Sequence, residues 1–116
     1  MDNTLLLRIK LLRTLFSNLT NRFTDPKAVL SINICLQALD DIIGPMRSSV
    51  VSRNNVNDFK SSIDFFLLRG DSYDAAYEFA FPNICEILNI QYDKLKPLLD
   101  DILPKIEESL DKKAKR

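Results

Sequence analysis

Leu5-Leu6-Leu7-Arg8-Ile9-Lys10-Leu11-Leu12-Arg13-Thr14-Leu15-Phe16-Ser17-Asn18-Leu19, residues 5–19, carries the hydrophobic pattern of a long amphipathic helix. Leu5, Ile9, Leu12, Phe16 and Leu19, with Phe23 beyond them, step alternately by four and three residues, which is the seam of an amphipathic helix. Asp2 or Asn3 can cap its start, and Thr24-Asp25-Pro26 ends it. Leu7, Leu11 and Leu15 form a second row, displaced from the seam by about 80 to 160° when each residue turns about 100°. The apolar face is therefore wider than one core contact needs. Two readings follow. Either two further helices of the same domain flank this one, or Leu7, Leu11 and Leu15 form a surface for a partner or a second copy.

The helical pattern continues outward. Asp25-Pro26 signals the next start, with the carboxylate accepting free N–H groups and proline preset at the first helical position. Val29, Ile32, Leu36, Leu39 and Ile43 share one face there, with Ala28, Cys35 and Ile42 beside them. This is the expected central helix, and Gly44-Pro45 is expected to stop it, glycine taking the left-handed position. From Met46 to Asn57 the composition turns to Ser, Asn and Arg, which predicts a loop or hinge over 46–57 with one helical turn near Arg47–Val51. A third helix is predicted over Asn57–Arg69 with Phe59, Ile63, Phe66 and Leu67 inward, closed by Gly70. Asp71 or Ser72 would cap a fourth, carrying Tyr73, Ala76, Tyr77 and Ala80. Leu95, Leu99, Ile102, Ile106 and Leu110 carry a last stripe through Pro97 and Pro104, with a kink or restart expected at Pro104. Residues 112–116 read as a frayed basic tail suited to the negative end of the helix dipole.

Composition narrows the function. At 116 residues the chain makes one domain with a core of its own, and two glycines are too few for the tight turns of an all-β fold. Histidine is absent, which removes Ser-His-Asp and Cys-His pairs, histidine metal ligands and a physiological-pH switch. Cys35 and Cys85 are fifty positions apart in apolar surroundings and read as buried, reduced thiols. Asp40-Asp41 and Asp100-Asp101 are adjacent pairs whose members diverge by about 100° on a helix, so neither pair shares a proton or clasps a metal easily. No Gly-rich phosphate loop exists. The expectation is a protein that binds and does not catalyse, with no cofactor. No secretory segment or span of about 20 apolar residues is read from the sequence, so the expected location is cytoplasmic, with no membrane contact.

One segment has a recognisable shape. In Ile84-Cys85-Glu86-Ile87-Leu88-Asn89-Ile90-Gln91-Tyr92-Asp93-Lys94-Leu95-Lys96-Pro97-Leu98, Cys85 is the small residue where two helices approach. Asn89 is the turn residue tolerant of the left-handed region, and Ile90 the buried aliphatic after it. Leu95 and Leu98 would face back from the second helix. These slots predict a helix-turn-helix-like corner near residues 83–98.

The run from Ala75 to Ile90, with an aromatic, Ile84-Cys85-Glu86, Leu88 and Asn89-Ile90, resembles a segment of small bacteriophage-encoded helical proteins. The resemblance covers about a third of the chain. It implies a helix-turn-helix-like arrangement and a role around DNA or the transcription or replication machinery. Lys94 and Lys96 stand where such proteins often carry arginines. Candidate nucleic-acid contacts are then Gln91, Tyr92, Lys94 and Lys96 on the second helix, with Arg47 and Arg53 on the loop.

Charge divides the chain. Residues 1–53 hold seven basic and four acidic side chains; residues 54–116 hold nine and twelve. Between Asp71 and Gln91 every charge is negative, which opposes phosphate contact there. The expected fold is all-α, a single irregular bundle of five or six helices. Its core should include Ile9, Leu12, Phe16, Leu19, Ile32, Leu36, Leu39, Ile63, Phe66, Tyr77, Cys85, Leu88, Ile90 and Leu95. The expected function is a small phage- or mobile-element-type binding protein acting around DNA or transcription. The alternative is a protein-interaction or self-assembling module that uses the first helix and touches no nucleic acid.

Overall fold

The computed structural model describes residues 3–48, 52–69 and 77–114. These form five helices and no strand: α1 (Asn3–Leu19), α2 (Pro26–Arg47), α3 (Arg53–Leu67), α4 (Phe81–Ile87) and α5 (Tyr92–Ala114). The chain is all-α. Helix α2 is the hub, packing against each of the other four. Its start follows the sequence signal: Pro26 sits in the first turn and the Asp25 carboxylate accepts the Ala28 N–H at 3.1 Å. By length and composition α2 could cross a membrane, which the sequence reading did not anticipate; 44% of its most apolar window is buried inside the fold. A helix apolar around most of its circumference arises wherever neighbours cover several faces.

One cluster of buried side chains joins all five helices. It contains the α1 seam (Leu5, Ile9, Leu12, Phe16, Leu19) and the expected Ile32, Leu39, Ile63, Phe66, Cys85 and Leu88. Phe81 sits at its centre, with ring centroids 4.9 Å from Phe66, 5.7 Å from Phe65 and 6.0 Å from Tyr92. Leu36, Ile90 and Leu95 are only partly buried against this core. Tyr77 is a correction: it is 55% exposed, in a turn closed by the Ala80 N–H on its carbonyl.

Several boundaries also differ from expectation. Gly44-Pro45 does not stop α2, which runs to Arg47. A proline two residues before the end of a helix removes one backbone hydrogen bond, and burial of Pro45 and Met46 offsets that loss. The 46–57 loop shrinks accordingly, because α3 starts at Arg53 with Ser52 capping through the Asn55 N–H. The helical turn expected near Arg47–Val51 falls partly on 49–51, outside the described residues. Leu68, not Gly70, takes the left-handed position after α3, at φ 59°. Gly70 and the start of the expected fourth helix lie outside the described residues, and Tyr77–Ala80 are not helical. The tail is helical through Ala114, and Lys113 donates to the Pro45 carbonyl at 3.1 Å, so 112–114 are not frayed.

Helix α5 passes Pro97 and Pro104 without interruption. Both prolines are exposed, so the carbonyls they leave unpaired, at Asp93 and Asp100, lie on the solvent side where water satisfies them.

Candidate interaction surfaces

The corner between α4 and α5 is built as the sequence predicts. Asn89 adopts φ 58°, the Ile90 N–H reaches the Cys85 carbonyl at 2.8 Å, and the Asn89 N–H reaches Glu86 at 3.2 Å. This pair of bonds is a Schellman closure with asparagine in the place glycine usually takes. Ile84, Cys85 and Leu88 are buried around it. Leu98 is a correction, because it is 39% exposed while Leu99 turns inward. Leu95, Leu99 and Ile102 follow the four-three step that faces the core, and Leu98 lies off that line.

The nucleic-acid candidates do not gather on one face. Gln91, Lys94 and Lys96 are exposed at the start of α5, and Lys96 is held by Asp100 at 2.7 Å. Tyr92 packs its ring on Phe81. Arg47 and Arg53 are exposed at the other end: Pro45, beside Arg47, contacts Lys113, nineteen residues or about 28 Å along α5 from Lys94. Of the cations in the first half, Arg13 pairs with Asp40, Arg8 with Asp101 and Lys27 with Glu78. Two of these pairs, Arg8–Asp101 and Lys27–Glu78, join the basic half to the acidic half within one chain.

The adjacent carboxylates are similarly engaged. Asp40 is held by Arg13, Asp41 accepts from Gln37, Asp100 from Lys96, and Asp101 from Lys105 and Arg8. Lys105 holds the Asp101 carboxyl below the usual carboxylate range, with Arg8 adding to it. Among the described residues no three acids or cysteines converge as metal ligands. Cys35 and Cys85 are free, buried thiols, and burial pushes both up, Cys85 to about 12.

The leucine row is left uncovered by the described helices. Leu7 is 57% exposed, Leu11 59% and Leu15 48%, so no other described helix covers them. The helix turns its seam to the core and keeps this row outside. Arg8 ties α1 to Asp101 of α5, and Leu15 shares a 410 Å³ hollow with Leu88 and Ile90. The two helices therefore run antiparallel. Leu11, three residues after Arg8, comes level with the exposed Leu98, three before Asp101.

A second surface was not legible in the sequence. Between α2 and α3 lies an open groove of about 470 Å³, with Ile34, Ala38 and Phe65 among its apolar lining and Leu30, 48% exposed, at one end. Asp41 and Asp58 stand at the other end, where the groove continues towards Asp40, Gly44 and Asn55. Its apolar residues belong to two helices, and only their packing brings them together. No family model, curated protein or solved structure matches this chain.

Proposed function

We propose that this chain is a non-enzymatic protein-interaction module whose working surface is the Leu7, Leu11 and Leu15 face of α1. The observation that carries this reading is the exposure of all three leucines, each about half open or more, on a helix whose opposite face is fully packed. A row of large aliphatic side chains at four-residue spacing is the anchor pattern of a helix that docks against another protein. Arg8 and Arg13 of α1 are engaged by Asp101 and Asp40, which leaves the exposed Lys10 beside the row, on a helix without acids, to favour an acidic partner surface. The role around DNA or transcription that the phage-type resemblance implies is then exercised through a protein contact, since the exposed cations are spread over both ends of α5.

The test is a photo-crosslinking amino acid at Leu11 of the full chain, irradiated in the cell that produces it. A protein adduct that disappears when Leu7→Glu is added supports the reading. Absence of any adduct, or adducts to nucleic acid alone, overturns it.

A further inference from the structure

The exposed face of α1 and the groove between α2 and α3 complement each other, and neither can satisfy the other within one chain. Arg13 fastens α1 to Asp40 on one flank, while the leucine row lies on the opposite flank, towards α5. Lys10 borders that row, is exposed, and has no acidic partner among the described residues. Asp41 and Asp58 at the groove have no cationic partner among the described residues, Asp41 accepting only from Gln37. From Leu7 to Leu15 the row spans about 12 Å; from Leu30 to Asp41 the groove spans about 16 Å.

We infer that the leucine face of one copy docks in the α2–α3 groove of a second copy. This rests on the proposal that the leucine face is the working surface, and names its partner. Leu15 meets the apolar end at Leu30, Ile34 and Phe65. Lys10 and the positive end of the α1 dipole then face Asp41 and Asp58. Because face and groove are different surfaces, the contact is heterologous, and copies add head to tail without closing at two.

Sedimentation velocity of the full chain from about 10 μM to about 1 mM tests this, since mass action populates weak oligomers over that range. The average mass should climb past a dimer without a plateau. Leu11→Glu, which spoils the face, and Asp58→Lys, which spoils the groove, should each stay monomeric with unchanged helical circular dichroism. Leu7→Glu serves as a second face variant should Leu11→Glu fail to fold. Mixed in equal amounts, the two monomeric variants retain one good face and one good groove between them and should stop at a heterodimer. Lys10→Glu combined with Asp58→Lys in one chain should recover assembly. A plateau at a dimer for the native chain, or a mixture that stays monomeric, overturns the inference. So does a native chain that is monomeric at every concentration. If the Leu11 crosslink to another protein persists in that last case, only the self-docking fails and the leucine-face reading stands; if it too is absent, both fall.

Discussion

Arg69 grips Glu107 with both ends of its guanidinium, Nη1 donating to Oε1 at 3.2 Å and Nη2 to Oε2 at 2.7 Å. Its Nε also donates to Asp64 at 3.1 Å, so one side chain just past the end of α3 binds α3 to α5. Glu107, then burial against it, then Asp64 set the balance that holds the guanidinium above its ordinary pKa. A planar fork matches a carboxylate in a way that an ammonium cannot. Arg69→Lys should therefore cost about 1 kcal/mol, discounted for partial exposure, and lower Tm by about 4 °C. Thermal melts at low and at high salt check this, because the difference between the two proteins should shrink as salt screens the pair.

Asn89 occupies a left-handed backbone position that suits asparagine and glycine. Asn89→Val should lose about 1–2 kcal/mol, whereas Asn89→Gly should stay within about 0.5 kcal/mol of the native chain. Urea denaturation decides it, read as a shift in midpoint with an unchanged slope.

Phe81 touches aromatic rings from three other helices: Phe16 of α1, Phe65 and Phe66 of α3 and Tyr92 of α5. Phe81→Ala should destabilise by about 3–5 kcal/mol, by lost transfer energy plus the cavity left behind. Against a typical total of about 5–15 kcal/mol that is a large share, and Phe81→Leu should recover much of it. The same denaturation series measures both.

The two thiols predict an alkaline limit. Burial lifts Cys85 from an ordinary 9.0 to about 12, and Cys35 rises through burial and the nearby Cys85. Folded pKa values above the unfolded ones mean that this stability is complete below pH 9 and is lost as pH rises towards 12. Above pH 9 the unfolded chain sheds protons that the native state keeps, costing about 1.4 kcal/mol per thiol for each pH unit. Cys85→Ala should flatten that slope in melts between pH 8 and pH 10. A maleimide at pH 8 should label neither cysteine in the native chain and both in urea.

Local signals carried the helices. The four-three step placed all five seam residues of α1 in the core, Asp25-Pro26 opened α2, and Asn89 turned the chain where its backbone tolerance said it would. Signals that depend on what lies across the gap misled. Gly44-Pro45 reads as a stop, yet the helix continues because Pro45 and Met46 are buried there. Gly70 reads as the cap for α3, yet Leu68 takes the left-handed position itself while packing partly against the core. Phe81 lies in no periodic run, so its central place shows only when α1, α3, α4 and α5 converge on it.

The helical character of the chain, the course of the α1 core seam and the residue that turns the α4–α5 corner are all legible in residue order, because hydrophobic period and backbone tolerance act between near neighbours. Packing between distant segments is what leaves Leu7, Leu11 and Leu15 outside and makes α2 and α3 frame a groove ending at Asp41 and Asp58. Periodicity says how wide an apolar face is, but the number of neighbours that cover it depends on contacts between residues far apart in the chain.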